Sequence, residues 1–137
     1  MTNIIAIAMA AILSVESQNG ADKRTGDGGR AVGAFQMWPV AVREANRIES
    51  IMARREGRRP RKWRVSDRVD IDWSMEMCEA TLLWHYGRGV KCPVELACRW
   101  RNPYSRCPRW HRRKIEKAIK KLETNDPRPK VTSQKKP

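Results

Sequence analysis

The chain of 137 residues is long enough for one domain, and a hydrophobic content of 40% can supply a small core. Its formal net charge of +14 indicates a polyanionic partner, such as nucleic acid, an anionic membrane or the bacterial cell wall. Charge alone does not choose among these partners.

The apolar N-terminal segment 1–13 can be interpreted as a secretory signal or as a core helix. No Lys or Arg precedes the apolar run, as a signal would normally require, and the run is too short to span a membrane. Its apolar residues recur at helical spacing, at Ile5, Ala8, Ile12 and Val15. Because cleavage would remove most of the helix that carries Glu16, we expect a core helix, no cleaved signal and no stable membrane insertion.

The stretch from Ser14 to Pro39 combines the end of this helix, a polar Gly-rich segment and a return segment. The helix delivers Glu16, and the return segment carries Gln36. Between them Gly28-Gly29 predicts the tip of a small β-hairpin. Such an arrangement can place a lone acid in a cleft beside a substrate-holding amide. A carboxyl group beside apolar walls has a raised pKa and can donate a proton near neutral pH, as cleavage of a glycosidic bond requires.

Two helices are predicted in the middle of the chain. Pro39 suits the first turn of one, which has an apolar stripe at Ala41, Ala45, Ile48 and Met52. The basic segment 54–64 then predicts a solvated loop or a phosphate-binding strip. Asp72 offers an N-cap for the second helix, which ends at Gly87 in a left-handed cap. The apolar face of this helix comprises Trp73, Met77, Ala80 and Trp84.

Two shorter helices complete the predicted domain, which covers residues 1–123. Pro93 begins one that runs through Trp100, and the other extends from about Trp110 to Leu122. The last helix should bury Ile115, Ala118, Ile119 and Leu122. Residues 124–137 contain little to bury, so we predict a disordered basic tail.

Four cysteines permit two disulfides in three pairings, and the sequence does not choose among them: Cys78, Cys92, Cys98 and Cys107. No paired CxxC spacing occurs, so we expect thiols or disulfides rather than a zinc site with His85 or His111. We therefore predict no metal and no cofactor.

The order of these motifs resembles the lysozyme-like superfamily, and is most similar to soluble lytic transglycosylase (SLT) and phage-type muramidase domains. Members show Glu-Ser at the end of a helix and a Gly-Leu-Met-Gln-hydrophobic-x-Pro signature after a turn. Glu16-Ser17 and the segment 33–39 match these motifs, with Ala34 and Phe35 as apolar replacements. A third motif, an aromatic-Asn pair, is only partly met, because Arg101 separates Trp100 from Asn102. The similarity extends over roughly residues 4–122.

The resemblance implies a mainly α, lysozyme-like fold with a helical lobe and a small β-hairpin. It further implies cleavage of the MurNAc–GlcNAc β-1,4 bond of peptidoglycan, most simply by a lytic transglycosylase in which Glu16 is general acid and then base. A hydrolytic muramidase is the alternative, with Asp27 as its second carboxylate. Substrate-binding roles are implied for Ser17, Gly33, Gln36, Asn102, Tyr104 and Tyr86. Trp38 could stack on sugar, but a core position is the expected one.

These expectations describe a monomeric cell-wall-degrading enzyme, phage-encoded (an endolysin) or bacterial, whose partner is the peptidoglycan glycan strand. Binding to other anionic polymers should be weak and non-specific. A protein of another class, binding nucleic acid through the basic runs 54–64 and 99–121, also accounts for the charge. No zinc-finger, RNP or helix-turn-helix signature supports that class. A catalytically inactive, wall-binding part of a virion is a third hypothesis.

Overall fold

The computed structural model describes residues 3–17 and 31–124, and 73% of this part of the chain is helical. The five α-helices are α1 (Asn3–Ser17), α2 (Pro39–Glu56), α3 (Ile71–Gly87), α4 (Pro93–Arg101) and α5 (Arg109–Thr124). A short 3-10 helix at Val65–Val69 precedes α3. The prediction of a mainly α protein is therefore confirmed.

The first helix, α1, is the centre of the core and packs against α3, α4 and α5. Ile5, Ala8 and Ile12 are buried, as their helical spacing predicts. The small side chains of α1, such as Ala8 and Ala11, let neighbouring helices approach it closely, so that burial extends around most of its surface. None of the described helices is long and apolar enough to cross a membrane.

The second helix, α2, lies against α3 and begins at Pro39, as predicted. Gly57 ends it in the left-handed conformation, and its N–H group bonds to the carbonyl groups of the last turn. The basic segment that follows is exposed except for Trp63, which is buried in the core. Asn46 fixes this Trp by pairing its side-chain amide with the Trp63 backbone, at 2.8 and 2.9 Å.

Three predicted details of the helices are wrong. Asp70, not Asp72, caps α3, because its carboxylate accepts the N–H groups of the first turn. Gly87 is the last residue of that helix, and the left-handed residue is Gly89. Leu122 is 37% exposed, although Ile115, Ala118 and Ile119 on the same helix are buried. The two capping errors have one cause: the sequence contains two candidate residues two positions apart, and hydrogen-bond geometry selects one.

No strand occurs in the described ranges; Val32 and Met37 form a single antiparallel bridge. The predicted hairpin tip, Gly28-Gly29, lies outside the described residues, as does the tail 125–137.

All four cysteines are free thiols. Cys78 is buried in α3, and burial raises its pKa well above the ordinary value. Burial and a hydrogen bond to Cys107 raise the pKa of Cys98 to about 12. These two thiols therefore lie close together.

Candidate active site

A single cleft of about 490 Å³ gathers residues from the end of α1, the turn before α2, and the segment after α4. Of the site residues predicted from sequence, four line it: Glu16, Gln36, Asn102 and Tyr104. They come from three separate segments of the chain, since Asn102 and Tyr104 are only two positions apart. The fold therefore brings together residues that were selected only by sequence pattern.

Glu16 lies in the last turn of α1, and its side chain is 9% exposed. Its Oε1 lies 3.7 Å from Nη1 of Arg101, at the end of α4. Ser17 is buried beside it and donates its hydroxyl to the carbonyl of Leu13 at 3.2 Å. Ser17 does not line the cleft, so its contribution is to the end of the helix that carries the acid.

Gln36 is presented by a tight turn between Val32 and Met37, which exchange two backbone hydrogen bonds of 3.0 and 3.1 Å. Within the turn, the backbone and the side-chain amide of Gln36 both donate to the carbonyl of Gly33, at 3.1 and 3.0 Å. Gln36 is the one non-glycine residue in the described ranges with a positive φ, 49°. Backbone strain of this kind is concentrated at functional sites.

The turn is held from two sides. Arg68, in the 3-10 helix, donates to the carbonyl of Met37 at 2.9 Å, and its own carbonyl lies against the Cα of Gly33. Trp100 donates its indole N–H to the carbonyl of Phe35 at 3.1 Å. Gly33 is thus needed for close packing of the turn, and it does not line the cleft.

Four aromatic side chains line the cleft: Phe35, Trp38, Trp100 and Tyr104. Trp100 meets the ring of Phe35 edge to face, with centroids 6.1 Å apart. Trp38 is 37% exposed and Tyr104 is 66% exposed. The expected core position of Trp38 is therefore wrong, because the residue directly before the first helical turn of α2 points to the cleft instead. Aromatic faces exposed in this way can stack on the apolar face of a sugar ring.

A second carboxylate on the cleft, Glu44, was missed by the sequence analysis. Arg47 donates to both of its oxygens at 2.8 Å, and the hydroxyl of Tyr104 donates to Oε2. The hydrogen bond from Arg47 lowers the pKa of Glu44, and the bond to Glu44 raises the pKa of Tyr104. Glu44 follows the cleft residues Val40 and Ala41 by one helical turn, a spacing that could have identified it.

The side chain of Asn102 places a hydrogen-bond acceptor at the cleft. Its Oδ1 is buried and has no hydrogen-bond partner among the described residues, while its backbone N–H caps α4 on Cys98. A buried acceptor without a partner is uncommon in native proteins and is available to a donor on a ligand. This observation supports the role that the partial motif implied for Asn102.

Comparison of the chain with protein-family models, with curated proteins and with solved structures gave no match. The geometry of the cleft is therefore the basis for any functional proposal.

Besides Ser17 and Gly33, one predicted site residue in the described ranges, Tyr86, does not line the cleft. Tyr86 is half-buried at the end of α3, and the ammonium of Lys91 lies 3.8 Å from its ring centroid. Asp27 lies outside the described residues. No group of three or more His, Cys, Asp or Glu side chains in the described ranges is arranged to hold a metal ion.

Proposed function

We propose that this protein cleaves the β-1,4 glycosidic bond between MurNAc and GlcNAc in peptidoglycan, within a lysozyme-like fold. The observation that carries the proposal is the convergence of Glu16, Gln36, Asn102 and Tyr104 on one cleft. These residues belong to three separate segments of the chain, which the sequence pattern alone had indicated. Their meeting at one cleft gives them a common surface on which a substrate can bind.

The chemistry of the cleft fits the reaction. Cleavage requires a proton for the leaving oxygen and an environment that tolerates an oxocarbenium-like transition state. Glu16, in the last turn of α1, is largely withdrawn from solvent and can serve as the general acid. Gln36 and Asn102 supply amide groups for sugar hydroxyls, and Trp38 and Trp100 supply stacking surfaces. No cofactor is needed for these steps.

The hydrogen bonds of Glu44 argue against its use as the water-activating base of an inverting hydrolase. A hydrolase needs a second carboxylate as nucleophile or as water-activating base. Both oxygens of Glu44 already accept strong hydrogen bonds from Arg47 and Tyr104, which stabilise the charge and weaken its basicity. In the reaction that we propose, Glu16 protonates the leaving oxygen and then accepts the proton of the muramyl C6 hydroxyl. The muramidase alternative keeps Asp27 as its candidate.

The net charge of +14 is consistent with a wall substrate, since attraction to an anionic surface raises encounter rates. A nucleic-acid-binding role has one favourable observation, the cluster of Arg47, Arg55 and Arg88 within 5.2 to 5.7 Å of the Trp84 ring. This cluster could contact phosphates, but it leaves the cleft without a role. We therefore retain the wall enzyme as the proposed function.

The test is incubation with purified sacculi, followed by mass analysis of the released muropeptides. A transglycosylase leaves 1,6-anhydro-muramyl ends, which are lighter by one water than hydrolysed ends. A Glu44→Gln variant should give the same anhydro products, because Glu44 is assigned no role in bond cleavage. Reducing muramyl ends from the wild type would establish a muramidase, and no release at all would reject the proposed function.

A further inference from the structure

Arg101 occupies the position between the proposed acid and an exposed aromatic ring. Its Nη1 lies 3.7 Å from Glu16 Oε1, and its Cζ lies 5.4 Å from the ring centroid of Trp110. The Arg101 side chain is 42% exposed, whereas that of Glu16 is 9% exposed. A molecule that enters the cleft can therefore reach the guanidinium more easily than the carboxylate.

This position raises a chemical difficulty. A general acid must carry its proton when the glycosidic oxygen leaves, but a neighbouring cation favours the ionised carboxylate. The separation of 3.7 Å exceeds the range of a hydrogen bond, so the contact is loose and can be exchanged for a closer partner. An anion that bound Arg101 would offset the positive charge that lies beside Glu16.

We propose that Arg101 recognises a carboxylate on the glycan strand and thereby restricts cleavage to anionic strands. The inference rests on the proposed function and names the chemical class of its substrate. A guanidinium presents its N–H donors in a plane that matches a carboxylate, and stacking on Trp110 occupies a face and leaves those edges accessible. In this proposal Arg101 lies beside the acid and also determines which glycan strands are cleaved.

The other arginines near the cleft are less suited to this role. Arg99 donates through Nη1 to the carbonyl of Pro103 at 3.1 Å, which ties it to the segment after α4. Arg47 is paired with both oxygens of Glu44. Arg101 combines exposure, a loose ion pair and proximity to Glu16.

The carboxylate has two possible sources in a wall. In strands that retain their peptides it belongs to the stem peptide, and in strands stripped of peptide it is the lactyl group of muramic acid. Three soluble substrates separate these sources. They are uncrosslinked strands with stem peptides, peptide-free strands, and peptide-bearing strands whose carboxylates have been converted to amides.

The experiment compares kcat and KM for wild type, Arg101→Gln and Arg113→Gln on the three substrates. Arg113 is exposed on α5 and does not line the cleft, so its variant controls for the lost charge. We expect the wild type to prefer carboxylate-bearing strands by about tenfold in kcat/KM, as for one hydrogen bond to a charged group. Arg101→Gln should lose this preference and should cleave the amidated strands at least as fast as wild type. Arg101→Lys should restore part of the preference.

The outcomes are distinct. If peptide-bearing strands are preferred to peptide-free strands, the stem peptide supplies the carboxylate; the opposite order assigns the lactyl group. An equal loss on all three substrates, with an unchanged melting temperature, would overturn the role of Arg101 while leaving the proposed function intact. Failure of the wild type to cleave any of the three would overturn the proposed function, and this inference with it.

Discussion

Substitution of Gly33 by alanine tests the close contact between the turn that carries Gln36 and the backbone of Arg68. Gly33 has φ of +84°, and a Cβ built on it would lie 2.3 Å from the backbone oxygen of Arg68. That oxygen cannot move freely, because it also accepts the hydroxyl of Ser74 at 2.8 Å. Alanine would therefore combine a left-handed backbone, which costs about 1–2 kcal/mol, with an overpacking penalty of about 1–3 kcal/mol.

Two other glycines separate these contributions. Gly57 also has a positive φ, +67°, but a Cβ there would meet nothing within 4 Å. Gly87, at the end of α3, has the same open surroundings and no positive φ. After about 0.4–1 kcal/mol is subtracted for the lower entropy of the unfolded chain, Gly57→Ala should be destabilised by about 0.5–1 kcal/mol. Gly33→Ala should lose about 2–4 kcal/mol, and Gly87→Ala should be neutral or slightly stabilised.

The assay is urea unfolding of the three variants beside wild type, with the slopes compared to establish two-state behaviour. Activity on sacculi should fall in Gly33→Ala, because the turn that carries Gln36 must shift away from Arg68. If Gly33→Ala is no more destabilised than Gly57→Ala, the close approach to Arg68 is wrong.

Gln36→Ala should lower activity at least tenfold while lowering the melting temperature by only about 3–8 °C, because a side-chain hydrogen bond contributes only about 1 kcal/mol to folding. A large fall in melting temperature with activity per folded molecule unchanged would assign Gln36 a structural role instead. His111 gives a pH test: burial, with Arg101 and Lys114 nearby, lowers its pKa to about 4. The native state keeps this residue neutral while the unfolded state binds a proton below about pH 6.5, so the free energy of unfolding should fall by up to about 1.4 kcal/mol per pH unit between those values. His111→Gln should flatten this dependence in urea unfolding at pH 7, 6, 5 and 4.5, and an unchanged slope would contradict the burial argument.

The helices could be predicted because their sequence signals are local. Pro39 and Pro93 begin α2 and α4 as expected, and the apolar spacing in α1 identifies its buried face. Such signals depend on residues one or two helical turns apart, which a single sequence displays directly. The errors at Asp72 and Gly87 concern boundaries, where neighbouring residues compete for the same cap.

The composition of the cleft could be predicted only in part. Glu16 and Gln36 were found because motifs surround them, whereas Glu44 belongs to no such motif and reaches the cleft through helical geometry. Arg101 was visible in the sequence only as a departure from an aromatic-Asn pair. Its contact with Glu16 joins residues that are 85 positions apart in the chain. Only the packing of α4 against α1 brings the two side chains together, so the contact could not be predicted from the sequence. Tyr86 shows the converse, because the resemblance implied a substrate-binding role for it but its side chain packs elsewhere.

The most direct test of the account is release of muropeptides from sacculi by Glu16→Gln, compared with wild type at equal folded concentration. The amide cannot donate the proton that the leaving oxygen requires, so release should fall to background while the melting temperature changes little. Glu44→Gln, which removes the other described carboxylate on the cleft, should retain measurable release of anhydro-muropeptides. Activity of Glu16→Gln close to that of wild type would contradict the central claim.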